Sequence, residues 1–363
     1  MSAPAGRGKG PESLVRDDVR ALTAYHVAPA EGMVKLDAME NPYGLPPELR
    51  EAMAKRLAQV DVNRYPDPTG ARVKASLREA MAIPDSLEIL VGNGSDEVLQ
   101  IVTLALAKPG AAVLSLEPSF VMYRLAALSA GMRHVGVPLR GDFTLDEDAV
   151  MKAIAAEAPA LTWIAYPNNP TGNLFPRESV LRIVAASPGL VAVDEAYYAF
   201  SGGASLLGEV GRHPNLILVR TVSKLGMAGL RLGLAVGTRE WIREFEKLRM
   251  PYNVSSLDAA AAELLLGQRE AFARQTVAIL AERGRLERDL DGMPGVERFA
   301  SAANFILVRL PDGPGAFDAL RQRGILVRTF HGSHPLLANC LRLTVGTPDE
   351  NTRMLEALAA ALG

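Results

Sequence analysis

Cysteine is almost missing from this chain: Cys340 is the only one among 363 residues. A single thiol cannot form a disulfide within the chain, and zinc sites built on pairs of cysteines are excluded as well. The five histidines are scattered, and His331 and His334 flank a Gly-Ser pair instead of lying one helical turn apart. We therefore expect no metal centre.

Long apolar runs are also missing. No segment approaches the roughly 20 apolar residues that are needed to span a bilayer. The first residues, Met1 to Pro11, are rich in Gly, Pro and Ala and have no apolar stretch behind them. This composition favours a disordered leader over a signal peptide, so the cytoplasm is the expected location.

The chain has no marked excess of charge of either sign. Lysine and arginine together number 39 and aspartate and glutamate 41, which leaves a formal charge of −2 at pH 7. This balance gives no electrostatic reason to expect nucleic acid or an anionic membrane as a partner. Any anion that the protein binds must be held by a few well-placed groups.

What the chain does have, from about Ser86 to Gly237, is an alternation of short apolar runs with amphipathic helical stretches. Continuous apolar runs are typical of strands that are buried on both faces, and their alternation with helices predicts a mostly parallel sheet in a three-layer α/β domain. The predicted strands are Ala112–Leu116, Leu161–Ala165, Leu190–Val193, Leu216–Arg220 and Leu232–Val236; the predicted helices between them include Ser95–Ala107 and Val121–Ala130.

A chain of this length exceeds one hydrophobic core, so we expect a large and a smaller domain. After Tyr252 long helical stretches lead into short apolar runs (Phe305–Val308, Ile325–Val327 and Leu341–Val345), followed by a terminal helix from Pro348. The pattern predicts an N-terminal arm with a small-domain segment at 1–39, a large domain at 40–255 and a small α/β domain at 256–363.

Polar residues follow the predicted strands at the points where the strands end. Asn169 comes after the strand through Ala165, Asp194 closes the next strand, and Ser223 with Lys224 follows Arg220. Ligands of parallel α/β sheets bind beyond the carboxyl ends of the strands. These clusters therefore predict one converging site.

The cluster around Lys224 favours an anionic ligand. A lysine at a strand end is usually a solvated cation, but here Ser223 precedes it and Arg231 follows seven residues later. A phosphate is typically bound by hydroxyl groups and by the paired N–H groups of an arginine, which act as a fork. A lysine that is partly desolvated beside another cation has a lowered pKa and can react as a neutral amine.

Asp194 and Asn169 have ordinary alternatives. A buried aspartate can serve as half of an ion pair or as a helix N-cap, and the Pro-Asn-Asn-Pro-Thr-Gly stretch around Asn169 is a turn by composition. Either residue could instead face a ligand, as could Tyr197, three residues after Asp194.

The stretch from Gly92 to Glu97 ends a strand and opens a helix, with Ser95 as the predicted N-cap. The free N–H groups of a helix start form an anion site. A dinucleotide fingerprint is the alternative, but the three-glycine spacing and the later acidic residue are absent.

In this order and spacing, the clusters resemble the fold-type-I pyridoxal-phosphate-dependent aminotransferases over nearly the whole chain. The resemblance implies that Lys224 holds pyridoxal 5'-phosphate as an imine and that Asp194 pairs with its pyridine nitrogen. It implies that Asn169 and Tyr197 contact the ring oxygen and that Phe120 stacks on the ring.

For the cofactor phosphate, the resemblance implies backbone contacts at Ser95 and Asp96 and side-chain contacts from Ser223 and Arg231. It also implies that Tyr65 reaches across from a partner subunit, and so predicts a homodimer with shared sites.

Three further stretches resemble the histidinol-phosphate aminotransferase branch of this family: Leu36 to Gly44, Arg64 to Thr69, and Cys340 to Pro348. In that branch Arg342, Arg328 and Tyr25 would bind the substrate phosphate. The implied reaction transfers an amino group between L-histidinol phosphate and 2-oxoglutarate, as a step of histidine biosynthesis. Two features depart from the pattern: Met39 replaces a usual asparagine, and the spacing from Lys224 to Arg231 is one residue shorter than in many members.

Other functions remain open at this point. A threonine-phosphate decarboxylase or an aromatic amino acid aminotransferase of the same fold would share most of these residues. A binding or regulatory protein that keeps the fold without transaminating has no need of Lys224. A nucleotide-binding oxidoreductase is the most distant alternative.

Overall fold

The computed structural model of the protein describes residues 10–24 and 29–363. Within these residues the strands are β1 Val34–Lys35, β2 Glu88–Asn93, β3 Ala112–Glu117, β4 Arg133–Pro138, β5 Leu161–Ala165, β6 Leu190–Asp194, β7 Leu216–Thr221, β8 Leu232–Gly237, β9 Glu297–Arg298, β10 Phe305–Arg309, β11 Ile325–Leu326, β12 Arg328–Thr329 and β13 Cys340–Thr344.

The helices of the same residues are α1 Pro11–Leu14, α2 Asp17–Arg20, α3 Pro47–Leu57, α4 Ala71–Ala80, α5 Gly94–Ala105, α6 Met122–Ser129, α7 Glu147–Glu157, α8 Arg177–Ala186, α9 Arg239–Glu246, α10 Ser256–Leu266, α11 Arg269–Asp291, α12 Gly313–Gln322 and α13 Pro348–Leu362. No helix in the described ranges has the length and apolar character that crossing a membrane requires.

The larger sheet has seven strands in the order β2-β8-β7-β6-β5-β3-β4. Strands β4, β3, β5, β6 and β7 run parallel, whereas β8 is antiparallel to both of its neighbours, β7 and β2. The prediction of a mostly parallel α/β sheet is confirmed. The five strands predicted from apolar runs all form, with ends that differ by at most one residue.

Alternate residues of each central strand enter different cores, which makes the domain three-layered. In β6, Val191 and Val193 pack into the core beneath one set of helices, whereas Leu190 and Ala192 pack into the core on the opposite face. Both faces are buried, which explains why β6 is an uninterrupted apolar run.

The smaller sheet has four antiparallel strands in the order β12-β13-β10-β9 and packs with α11, α12 and α13. The predicted strand Ile325–Val327 forms as β11, which ends at Leu326 and pairs with β1. A second short strand, β12, follows directly in a different sheet and pairs with β13. The pairing of β1 with β11 ties residues before the large sheet to the C-terminal part. The boundaries 39/40 and 255/256 stay a prediction.

One capping prediction is wrong. Helix α5 begins at Gly94 with Asn93 as its N-cap, so Ser95 lies inside the first turn. The reason is that the carboxylate of Glu97 accepts the N–H of Asn93 at 2.5 Å. A side chain of the helix itself thus caps the first turn, and Ser95 faces a cavity.

Candidate active site

A cavity of about 370 Å³ lies at the carboxyl ends of β5, β6 and β7, between the two sheets. It is lined by residues of both sheets and by the start of α5. The predicted site residues that line it are Ser95, Asp96, Phe120, Asn169, Asp194, Tyr197, Ser223, Lys224, Arg231, Arg328 and Arg342. The convergence expected from the strand ends is therefore present in the structure.

Lys224 lies in a single helical turn directly after β7 and reaches into this cavity. Its Nζ donates a hydrogen bond to the carbonyl oxygen of Ala38 at 3.0 Å. Desolvation lowers the pKa of Lys224 to about 8, and the positive charges of Arg342 and Arg231 act in the same direction. Lys224 is therefore an amine that can lose its proton near neutral pH, and the alternative of a solvated surface cation does not hold.

Asp194 ends β6 and is 6% exposed. Its Oδ2 accepts a hydrogen bond from the hydroxyl of Tyr123 at 2.8 Å, and its Oδ1 accepts one from the N–H of Ala196 at 3.0 Å. Within residues 10–24 and 29–363 no cation forms an ion pair with it, so the ion-pair alternative fails. Burial raises the pKa of Asp194 to about 6. A buried carboxylate in this situation is stabilised by a cationic group on a ligand.

Three further predicted residues form the walls around these two groups. Tyr197 is buried, and its ring centroid lies 5.8 Å from the Nζ of Lys224. Asn169 is also buried, within the turn that follows β5. The ring of Phe120 packs edge-on against Tyr123, with 5.7 Å between the centroids. An aromatic ring bound over Asp194 would thus meet an amide, a phenol and an apolar face.

The start of α5 and the turn before β8 form an anion cradle in the wall of the cavity. A Cβ on Gly94 would collide with the guanidinium of Arg231, and a Cβ on Gly233 would overlap the backbone nitrogen of Ser95. These two glycines let the backbones approach closely, so that the N–H groups of the helix start, the Ser223 hydroxyl and the Arg231 guanidinium surround one space. This donor set fits a phosphate.

Arg328 and Arg342 are direct cross-strand partners on β12 and β13, and both line the cavity. Arg342 is buried, and its guanidinium lies 5.3 Å from the ring centroids of both Phe305 and Phe330. Its Nη2 donates to the carbonyl oxygen of Asp37 at 2.6 Å. Two adjacent forks can bind a dianionic group, and for Arg342 the alternative of a surface ion pair is ruled out by burial.

The sequence model of the aminotransferases of class I and II matches residues 31–358. The chain belongs to the class I and II aminotransferases. The histidinol-phosphate aminotransferase of Chromobacterium violaceum is 52% identical over 347 residues, which cover 96% of this chain and 97% of that protein.

Solved structures agree with this assignment. The histidinol-phosphate aminotransferase of Sinorhizobium meliloti, solved in complex with pyridoxal-5'-phosphate, aligns with a TM-score of 0.86 at 25% identity and covers 96% of this chain and 98% of that one. The L-threonine-O-3-phosphate decarboxylase of Porphyromonas gingivalis aligns with a TM-score of 0.77 at 22% identity, covering 90% and 99% of the two chains, and shows the shared fold only.

One predicted residue of this aminotransferase, Tyr65, does not line the cavity of its own chain. Tyr65 is 81% exposed and stacks on Tyr252, with 4.5 Å between the ring centroids. Its assignment to a partner's site stays a prediction. Tyr25 lies outside the described residues.

The aminotransferase site contains residues that sequence reasoning missed. Tyr123 contacts Asp194 directly, and the loop Asp37–Glu40 forms one wall of the cavity. Helical spacing could have pointed to Tyr123, since it lies one turn after Phe120. No sequence signal marks the carbonyl oxygen of Ala38 as the partner of Lys224, because the backbone of every residue offers the same carbonyl acceptor.

Proposed function

We propose that this aminotransferase uses pyridoxal 5'-phosphate to transfer an amino group between L-histidinol phosphate and 2-oxoglutarate, as a step of histidine biosynthesis. The observation that carries the proposal is one cavity that holds a desolvated lysine, a buried carboxylate without a cation partner among the described residues, and two adjacent arginine forks. The 52% identity to the Chromobacterium violaceum enzyme supports the choice of substrate.

Pyridoxal phosphate supplies a pyridine ring that draws electrons from the substrate carbon that bears the amine. Asp194 would pair with the ring nitrogen and keep it protonated, which would give the buried carboxylate the cation that it requires. Asn169 and Tyr197 would contact the ring oxygen, and Phe120 would cover one face of the ring. The backbone N–H groups of Ser95 and Asp96 and the side chains of Ser223 and Arg231 would bind the phosphate.

Lys224 moves the proton in this proposal. Its pKa of about 8 leaves a usable fraction of neutral amine at physiological pH, and the best general bases have pKa values near the working pH. When the cofactor is bound, this amine would hold it. The same amine of Lys224 would also carry the proton to and from the substrate carbon.

Arg328 and Arg342 bind the anionic end of both substrates. The same two forks serve the phosphate of histidinol phosphate in one half-reaction and a carboxylate of 2-oxoglutarate in the other. Tyr25 adds a hydroxyl to the phosphate. This double use explains how one pocket can alternate between an imidazole phosphate and a dicarboxylate.

The proposal includes a homodimer in the cytoplasm. Tyr65 is exposed on its own chain and would complete the phosphate cradle of the partner subunit.

A substrate comparison tests the assignment. Purified protein loaded with pyridoxal phosphate is assayed with 2-oxoglutarate and either histidinol phosphate or phenylalanine, and carbon dioxide release is measured with threonine phosphate. We expect the highest kcat/KM with histidinol phosphate. A preference for phenylalanine would identify an aromatic aminotransferase, and decarboxylation of threonine phosphate would identify a decarboxylase; either result rejects the proposal.

A further inference from the structure

Tyr123 occupies a rigid position beneath the cavity. Its side chain is fully buried, and its ring is parallel to that of Trp163, with 5.3 Å between the centroids and 4° between the planes. Phe120 packs edge-on against the same ring, with the centroids 5.7 Å apart. Held by both rings, the phenol of Tyr123 has one direction available for its hydroxyl.

That direction leads to Asp194. The hydroxyl donates to Oδ2 at 2.8 Å, while the N–H of Ala196 donates to Oδ1 at 3.0 Å. Each carboxylate oxygen thus accepts one hydrogen bond from the protein. A carboxylate fixed through both oxygens cannot turn about its terminal bond, so its remaining lone pairs keep facing the cavity.

We propose that Tyr123 is a positioning residue, which aims the Asp194 carboxylate at the cofactor ring and keeps it ionised through this hydrogen bond. The inference rests on the proposed function, because it concerns the group that Asp194 would pair with. Tyr123 lies on α6, outside the strand-end clusters, and would act on the cofactor only through Asp194.

The charges around Asp194 show why such a donor is needed. Burial raises the pKa of Asp194, and the negative charges of Asp96 and Glu195 raise it further. The hydrogen bonds from Tyr123 and Ala196 lower the pKa. Glu195 is itself paired with Arg220 at 2.8 Å, and the pKa of Tyr123 is raised well above its usual value, so its proton stays in the hydrogen bond.

Removal of the Tyr123 hydroxyl should therefore raise the pKa of Asp194. Burial and the charges of Asp96 and Glu195 then disfavour the ionised form of Asp194, and of the two hydrogen bonds only that from the N–H of Ala196 still stabilises it. Its pKa rises above about 6, and its proton is gained at higher pH. Hydrogen bonds to charged groups are strong enough for a shift of about one pH unit.

The experiment compares wild-type holoenzyme with Tyr123→Phe, which keeps the ring and its packing. The visible absorption of the bound cofactor is titrated with pH, and the dissociation constant of pyridoxal phosphate is measured at pH 7.5. We expect the acid-side spectral transition to move up by about one pH unit and the cofactor to bind about fivefold more weakly. The control is Tyr198→Phe, which removes a phenol hydroxyl from a neighbouring ring that lies over Arg220 instead of Asp194.

The outcomes are distinguishable. If wild-type and Tyr123→Phe titrate alike and bind the cofactor equally, the inference is overturned, while a Lys224-dependent visible band in both would leave the proposed function standing. If Tyr198→Phe shifts the transition as far as Tyr123→Phe does, the effect is general and the assignment to Tyr123 is also overturned. A wild-type protein without any cofactor band overturns both proposals.

Discussion

Arg342 and Asn169 are joined by a hydrogen bond of 2.5 Å from Nη1 of the guanidinium to the side-chain oxygen of the amide. The first residue belongs to the small sheet and the second follows a strand of the large sheet. The contact thus links an arginine that is proposed to bind the substrate to an asparagine that is proposed to contact the cofactor. Both side chains are buried, so the link lies in a place where water competes little with it.

Arg342→Lys tests this link. A lysine carries the same charge but cannot donate in parallel to Asn169 and to a bound anion, because it lacks the planar fork. We expect the KM for histidinol phosphate to rise about 100-fold, with a small change in the affinity for pyridoxal phosphate. The control is Arg298→Lys on β9, the outer strand of the same sheet, where Arg298 forms an ion pair with Asp291 at the end of α11. An equal rise of KM in the control would contradict the role of Arg342.

Lys224→Ala removes the amine that the proposal requires. The variant keeps the fold, since a half-buried side chain is shortened without opening the main cores. We expect transamination to fall by at least about 10⁴-fold and the cofactor to lose the visible band of the wild type. Absorption spectra after incubation with pyridoxal phosphate provide the measurement. An unchanged band would show that another amine holds the cofactor.

The pKa of Lys224 predicts how cofactor loading depends on pH. A lysine whose pKa is lowered to about 8 loses its proton at lower pH than an ordinary lysine, and only the neutral amine attacks the cofactor aldehyde. The rate of loading of the apoprotein should therefore rise with pH up to about pH 8 and then level off. Because the charge of Arg342 contributes to the low pKa, Arg342→Met should move the midpoint to higher pH. Stopped-flow absorption checks both; an identical midpoint in the variant argues against the electrostatic explanation.

Gly233→Ala tests the phosphate cradle. The added Cβ would overlap the backbone nitrogen of Ser95, and backbone cannot yield as a flexible side chain does. We expect a loss of about 1–3 kcal/mol in the free energy of unfolding and weaker binding of pyridoxal phosphate. Gly229→Ala is the matched control, because a Cβ there meets open space. Thermal melts with and without cofactor separate the two effects, and equal behaviour of the two variants would refute the close approach.

The homodimer proposal can be tested by mixing two inactive variants. Tyr65→Ala keeps Lys224, and Lys224→Ala keeps Tyr65, so a mixed dimer rebuilds one complete site out of two. Random exchange of subunits should restore about a quarter of the wild-type activity, as expected for sites shared across a twofold axis. Activity is measured after joint refolding or coexpression. No recovery in a mixture shown to contain mixed dimers would place Tyr65 outside the partner's site.

Much of the large domain was predictable because its central strands are buried on both faces. Strands β3, β5, β6, β7 and β8 are mainly apolar and almost fully buried, and their ends marked Asn169, Asp194 and Lys224. Strand β4 escaped prediction since it lies at the sheet edge and mixes exposed with buried residues. The split of residues 325–329 into β11 and β12 escaped it as well, because each half pairs with a distant strand.

The sequence by itself predicted the parallel sheet and placed Asn169, Asp194 and Lys224 at the ends of its strands, since apolar runs and strand ends are local properties of the chain. The roles of Arg328 and Arg342 were implied by the family resemblance. Only the tertiary structure decided their partners. The pairing of Tyr123 with Asp194, of Lys224 with the Ala38 carbonyl and of Arg342 with Asn169 joins residues that are far apart in sequence. Such contacts depend on how helices and sheets pack, and these contacts set the charge and direction of the groups in the site.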